Sequence, residues 1–212
     1  MCMPMAGFAQ NSGWEVPQTA QKGLFDKKPK AEFKTKDGKV VNVDPKYLDG
    51  AVTLNSEGKV EWTITVKADG KSASQLYDLV YKYLEDRVKR IGIDKSRIAL
   101  INKEKHVVAS SMTSWITFKK AALALDQTKI NYNLIATCQD GSVELKLNGI
   151  GFNYEEGRDT AFKVSAEDWI TDENGLNKKH TNLSRMSGKF RKGTIDFKDE
   201  LFAGFEQFIN NN

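Results

Sequence analysis

The chain has 212 residues and a net charge of only +4, from 32 lysines and arginines against 28 aspartates and glutamates. Domains commonly contain about 100–200 residues, so this length suits one sizeable domain with appendages. The small positive excess does not imply a polyanionic partner, and no run of about 18 apolar residues predicts a membrane-spanning helix. The two cysteines, Cys2 and Cys138, exclude a disulfide framework.

The first nine residues have features of the end of a secretory signal. No charged residue precedes Glu15, and the small residues Gly7 and Ala9 stand near the position where a signal peptidase requires small side chains. The stretch lacks a basic start and a full apolar core, which a start codon placed too far downstream would explain. We expect residues 1–9 to be a signal remnant and the mature protein to begin at Gln10, outside the cytoplasm. The alternative is an ordinary N-terminus carrying stray methionines.

Residues 10–49 predict an N-terminal arm with a small hairpin. Residues 10–31 contain two of the four prolines and few periodic apolar positions, which is typical of a tether or a loosely docked arm. The next stretch, AEFKTKDGKVVNV, predicts a hairpin, because Asp37-Gly38 suits the positive φ of a tight turn.

A strand and a long helix follow. The segment KVEWTITVK, residues 59–67, alternates apolar and polar side chains with a period of two, which predicts a half-buried strand. Ser72 and Gln75 then have the spacing of a capping box, and Gly92 marks a helix end. Between them one apolar stripe recurs at helical spacing: Leu76, Val80, Leu84, Val88 and Ile91.

Four further strands are predicted as a meander: RIALIN, HVVASSMTSWITF, KINYNLIATCQ and SVELKLNGIGFNY. Asp140-Gly141 stands between the last two at hairpin spacing. In the last strand the apolar alternation changes from odd to even positions. A bulge at Asn148-Gly149 would keep all of its apolar residues on one face.

The C-terminus predicts a second long helix, with Asp196 as a possible cap and four phenylalanines on its apolar arc: Phe197, Phe202, Phe205 and Phe208. These elements predict an α+β fold, in which one antiparallel sheet has both helices on one face and a polar opposite face.

The chain resembles a family of uncharacterised, secreted bacterial envelope proteins with a TATA-binding-protein-like (TBP-like) fold. The likeness is carried by VEWTITV, SASQLYDLVYKYL, CQDGSVELKL, GIGFNY, AEDWITDENGLNKK and GKFRKGTID. It implies a single curved five-stranded sheet in the order 1-5-4-3-2, with two helices on one face. The domain would span residues 50–212, with an insertion at 155–195. The resemblance supplies no catalytic, cofactor or metal residues, and a fold shared with a DNA-binding protein transfers no function.

No catalytic motif occurs in the sequence. His106 and His180 have no metal-ligand spacing, and Cys138 has no basic neighbour that would favour a thiolate, so we expect ordinary structural roles for all three. Carboxylate pairs such as Asp168 with Asp172, or Glu155 with Glu156, have spacings that are usual for solvated surfaces. We therefore predict no catalytic residues, no cofactor and no metal.

The insertion separates its charges. Residues 155–173 carry seven acids against Arg158 and Lys163, and residues 176–192 carry only cations. One interpretation is an ion-paired flap in which the two halves fold against each other, with Trp169 and Ile170 anchoring a short helix. The other is a solvent-facing docking surface for an anionic partner. The candidate surface residues are Lys178, Lys179, Arg185, Lys189, Arg191 and Lys192.

Two hypotheses for function remain. We favour a non-enzymatic envelope module that binds an unknown envelope protein or an anionic ligand through the insertion or the polar sheet face. The alternative is an enzyme whose site combines carboxylates and tyrosines that sequence spacing does not reveal. We expect no nucleic-acid partner, because lysine and arginine do not dominate the strands and export would remove the substrate.

Overall fold

The hairpin predicted at the end of the N-terminal arm is present. A computed structural model describes residues 33–35, 38, 40–93, 95–121 and 124–212, so the expected signal remnant and the start of the arm lie outside the described residues. Strands β1 (Phe33–Lys34) and β2 (Val40–Val41) pair antiparallel, and a short 3-10 helix follows at Pro45–Tyr47. Residues 35–39 connect the two strands, with Gly38 at a φ of 77°, so the connection is longer than a two-residue turn.

The main sheet contains β3 (Trp62–Lys67), β4 (Arg97–Asn102), β5 (Val107–Ala121), β6 (Ala124–Gln139) and β7 (Ser142–Tyr154). Their antiparallel order is β3-β7-β6-β5-β4, so the expected order of these five strands is confirmed.

The expectation of five strands is wrong, because a sixth strand forms inside the insertion. Strand β8 (Phe162–Ser165) pairs with Gly151–Tyr154 of β7. The partner on the same edge, β3, reaches only to Leu147 of β7, so the end of β7 would otherwise have unpaired backbone groups. The insertion therefore completes the sheet edge.

Helix α1 (Ala73–Ile91) begins and ends where the sequence predicts. Ser72 Oγ accepts a hydrogen bond from the Gln75 amide, and the Gln75 side chain accepts one from the Ser72 amide, which completes the capping box. Gly92 ends the helix in the left-handed conformation.

The bulge predicted in β7 is also confirmed. Asn131 pairs with Gly151 but Asn133 pairs with Asn148, so β7 contains one extra residue, and Gly149 has a φ of 61°. The apolar residues on both sides of the bulge are buried: Val143, Leu145, Leu147, Ile150 and Phe152.

The last helix, α4 (Ser187–Asn211), begins nine residues before Asp196, so Asp196 is not its cap. Phe190 and Ile195 are buried and continue the apolar arc towards the N-terminus. Two glycines permit close packing of this first part: a Cβ added to Gly188 would lie 2.6 Å from Leu183 Cβ, and one added to Gly193 would lie 2.7 Å from Ile116.

Helices α1 and α4 pack on one face of the sheet, as predicted. The insertion adds the short helices α2 (Ala166–Trp169) and α3 (Asp172–Gly175). Ala166 of α2 and Ile170, which follows α2, join the same core. The other face of the sheet is polar, with Lys129, Asn131 and Asn133 on β6. None of the described helices combines the length and apolarity that a bilayer crossing requires.

Candidate functional site

The six cations predicted as a docking surface do not share one environment. The expectation that all six face solvent is wrong for Arg191, whose exposed fraction is 0%. Lys189 is half-buried, whereas Lys178, Lys179, Arg185 and Lys192 are exposed. The sequence did not distinguish them because Arg191 lies between two lysines and looks like part of a solvated basic run.

Arg191 binds two segments of the chain outside its own helix. Its Nε donates to the carbonyl of Tyr47 at 2.7 Å, its Nη1 to the carbonyl of Ile170 at 2.7 Å, and its Nη2 to the carbonyl of Leu48 at 2.6 Å. Its Nη2 also donates to Asp172 Oδ1 at 2.6 Å. Burial lowers the pKa of Arg191, against the raising effect of Asp172. Arg191 is therefore a structural residue that joins the arm, the insertion and α4.

Lys189 and Lys192 each bind a carboxylate. Lys189 Nζ lies 2.8 Å from Asp126 Oδ2 and 2.9 Å from the Tyr154 hydroxyl. Lys192 Nζ lies 2.6 Å from Asp196 Oδ2 and 3.0 Å from the hydroxyl of Tyr47.

Asp196 receives hydrogen bonds from three side chains, Lys192, Lys46 and the Tyr47 hydroxyl. Burial acts to raise the pKa of Asp196, but these three hydrogen bonds outweigh it and hold the pKa at about 2.

The predicted ion-paired flap, in which the acidic and basic halves of the insertion pair with each other, is present only in part. The pair between Arg191 and Asp172 joins the basic and acidic parts of the insertion, but the acid that binds Lys189 is Asp126 of β6. Three cations, Lys178, Lys179 and Arg185, stay exposed and form no ion pair with the rest of the described chain. They are what remains of the docking surface that the sequence suggested.

The other chemistry-bearing residues have structural neighbours. His106 is half-buried with its ring edge-on to Tyr77, at 6.2 Å between centroids, and His180 Nδ1 lies 2.5 Å from Asp49 Oδ1. Cys138 is buried, and burial raises its pKa to about 11. The predicted carboxylate pairs are engaged locally: Asp168 with Ser165, Asp172 with Arg191, Glu155 with Arg158 and Glu156 with Lys129.

A groove of about 930 Å³ opens between the C-terminal halves of α1 and α4, at the edge of the sheet beside Trp115. We call it the Arg87 groove. Residues of α1 in its lining are Tyr83, Asp86, Arg87, Lys89 and Arg90. Residues of α4 in its lining are Phe197, Glu200, Leu201, Gly204, Gln207, Phe208 and Asn211, followed by Asn212. The volume lies within the usual range of small-molecule sites, about 300–1,000 Å³.

Arg87 carries a charge that no carboxylate compensates in the described part of the chain. Its Nε is buried and has no hydrogen-bond partner there, and the side chain forms no ion pair. Its Nη2 donates a long hydrogen bond, 3.5 Å, to the hydroxyl of Tyr132, which lies 3.1 Å from Ser114 Oγ. A half-buried guanidinium without a counterion is unfavourable, because desolvation costs several kcal/mol per ion.

Arg87 nevertheless stays charged. Burial acts to lower the pKa of Arg87, and the phenols of Tyr132 and Tyr83 outweigh that effect, so the pKa is raised above its ordinary value. The phenols are held in turn by aromatic packing. Tyr132 meets Phe197 at 5.1 Å between ring centroids, and Tyr83 meets Phe208 at 5.0 Å.

The sequence contains one signal for Arg87, although Arg87 is not part of the apolar stripe that predicts α1. Arg87 follows Leu76, Val80 and Tyr83 at spacings of four, three and four residues, which are the spacings of a helix face that packs on a core. A charged residue at such a position needs a partner or a ligand.

A family model described as a domain of unknown function, DUF4468, with a TBP-like fold matches residues 62–153. The chain is also similar to a DUF4468 family protein from Bacteroides ovatus with a crystal structure, and the two sequences are 36% identical. The match has a TM-score of 0.73 and covers 79% of this chain and 95% of that one. The chain belongs to the DUF4468 family.

The resemblance seen in the sequence is thus confirmed for the family and the fold. A TBP-like protein from Parabacteroides distasonis also matches, at 20% identity and a TM-score of 0.62, over 76% of this chain and 97% of that one. At this identity the likeness concerns the fold alone. No curated protein matches the chain.

Proposed function

We propose that this DUF4468 protein is a non-enzymatic binding module of the bacterial envelope and that it holds an anionic ligand in the Arg87 groove. The observation that carries the proposal is the guanidinium of Arg87, which is half-buried, has no carboxylate partner among the described residues and lines an open groove. An anion that enters the groove supplies the missing counter-charge.

The energetics favour binding at this position. A hydrogen bond to a charged group contributes about 1.5–3 kcal/mol, and its contribution rises where water is excluded. Folding already removes part of the water around Arg87, and the free energy of unfolding includes that cost. A ligand therefore does not have to desolvate the buried part of this side chain. Preorganisation of this kind raises affinity.

The alternative function is an enzyme whose site combines carboxylates and tyrosines. The Arg87 groove contains these residue types, since Asp86, Glu200 and Tyr83 line it. None of these carboxylates forms a hydrogen bond with a phenol among the described residues. We favour binding, because a nucleophile or general base requires a partner within hydrogen-bond reach. Recovery of a chemically altered ligand after incubation with the protein would support the enzyme instead.

The test is a calorimetric titration with acetate, phosphate, sulfate and 2-naphthoate. At least one of these anions should bind with a stoichiometry of one, and added salt should weaken its binding. Arg87→Gln should weaken that binding about 10- to 100-fold. The matched control is Arg97→Gln, which removes the same charge from an exposed position on β4 and should leave the affinity unchanged.

Two results would refute the proposed site: no binding of any of the four anions, or equal affinities for wild type and Arg87→Gln. The proposed location in the envelope has a separate test. Mass spectrometry of the native protein should find an N-terminus at Gln10 in an envelope fraction, whereas an intact Met1 in a cytosolic fraction would contradict export.

A further inference from the structure

The lining of the Arg87 groove restricts the charge of its ligand. Arg87 is half-buried and has no carboxylate partner among the described residues. Arg90 is a second, exposed cation of the lining, and two carboxylates, Asp86 and Glu200, line the same groove. Lys89 already binds Glu85 at 3.0 Å. Apart from Lys89, the lining therefore has two cations and two carboxylates. A ligand with a single negative charge at Arg87 is better matched to this balance than a ligand with two negative charges.

One wall of the groove suits an apolar body. Phe197, Leu201 and Phe208 of α4 line the groove together with Trp115, whose exposed fraction of 48% is high for a tryptophan. The other lining residues are mostly charged or amide residues, so these side chains form the apolar wall of an otherwise polar groove. Such a wall can hold the body of a small organic molecule.

Gly204 provides the space for that body. It lies inside α4, one turn from both Leu201 and Phe208, and a Cβ added to it would have no atom within 4 Å. Glycine in a helix interior costs about 1 kcal/mol relative to alanine, and no packing contact in the described structure requires it here. Because glycine has no side chain, the surface of α4 is recessed between Leu201 and Phe208.

On the basis of the proposed function, we infer that the ligand is a monocarboxylate with an aromatic or aliphatic body. Its carboxylate meets the guanidinium of Arg87, and its body lies along α4 over Gly204. Gly204 is then a specificity-determining position, because any larger side chain there occupies the path of the body while leaving the charge site open.

The probes are 2-naphthoate, 2-naphthyl phosphate, 2-naphthamide and acetate, with binding followed by NMR titration. We expect 2-naphthoate to bind about tenfold or more tightly than the phosphate ester, which carries a second charge, and than the neutral amide. Gly204→Leu should weaken 2-naphthoate about tenfold or more and change acetate binding less than about twofold. Gly204→Ala should affect both ligands little.

Folding does not confound this test. Leucine and alanine are both better helix formers than glycine, so thermal melts of both variants should match or exceed that of the wild type. A melt well below wild type would itself contradict the open space over Gly204.

The remaining outcomes separate the two proposals. If the phosphate ester binds as tightly as 2-naphthoate and Arg87→Gln weakens both, the anion site stands and the monocarboxylate inference is wrong. If Gly204→Leu leaves 2-naphthoate unaffected, the placement of the body over α4 is wrong. If no anion binds, both the inference and the proposed function fail.

Discussion

Arg191→Met should strongly destabilise the fold, although the substitution replaces a charged residue with an apolar one of similar length. The guanidinium donates four hydrogen bonds, to the carbonyls of Tyr47, Leu48 and Ile170 and to the carboxylate of Asp172. Methionine fills part of the volume but leaves the carbonyls of Tyr47 and Ile170 without this donor. Leu48 and Asp172 lose the guanidinium and keep only the backbone amides of Ala51 and Gly50.

The size of the effect follows from burial. Arg191 is 0% exposed, so water does not replace the lost donors at their inner positions. Removal of one partner from a buried pair costs about 3–5 kcal/mol, a large fraction of a typical total stability of 5–15 kcal/mol. Arg191→Lys should recover little, because an ammonium group does not reproduce the planar fork that reaches both segments at once.

Urea unfolding followed by tryptophan fluorescence measures this effect. With an m value of about 2 kcal/mol per M, a loss of 4 kcal/mol lowers the midpoint by roughly 2 M. Arg185→Met is the control, because Arg185 is exposed, and it should stay within about 0.5 kcal/mol of wild type. A loss below about 1 kcal/mol for Arg191→Met would refute the claim that this residue joins the arm, the insertion and α4.

Three further predictions follow from burial, backbone geometry and charge. Phe205→Ala should cost about 3–5 kcal/mol in urea unfolding, whereas Leu100→Ala, at a 52% exposed position, should cost less than about 0.5 kcal/mol. Gly149→Ala should lower the melting temperature, because φ is 61° and the added Cβ would lie 2.3 Å from Asn133 Nδ2; an unchanged melt would contradict the bulge geometry. The low pKa of Asp196 contributes stability above its ordinary value of about 4, which is lost as pH falls towards 2. Asp196→Asn should therefore flatten the decline of stability in that range, and an unchanged acid profile would contradict it.

The elements that the sequence predicted correctly are those specified by neighbouring residues. The start of α1 depends on Ser72 and Gln75, three positions apart, and the bulge in β7 follows from the change of alternation around Gly149. The residues that give such signals lie within a few positions of one another in the sequence. The order of the strands came from the family resemblance and from hairpin connections of the same local kind.

The elements that the sequence did not predict depend on distant partners. Arg191 is buried among partners that are distant in the sequence, such as the carbonyl of Tyr47, 144 residues away. The sixth strand forms because β3 is shorter than β7, which is a property of two strands separated by α1 and the meander. Arg87 had a local signal in its helical spacing, but the groove in front of it is made by α4.

The central claim is that Arg87 serves a ligand rather than the fold, and thermal unfolding of Arg87→Met with and without 2-naphthoate tests it most directly. Without ligand the variant should melt at or above the wild-type temperature, because the substitution removes a half-buried charge that has no counterion in the part of the chain that the structure describes. With ligand at about 100 times its dissociation constant the wild type should gain about 2.7 kcal/mol, and the variant at the same concentration should gain far less. A variant that melts well below wild type and responds equally to 2-naphthoate would show that Arg87 is a structural residue and would contradict the account.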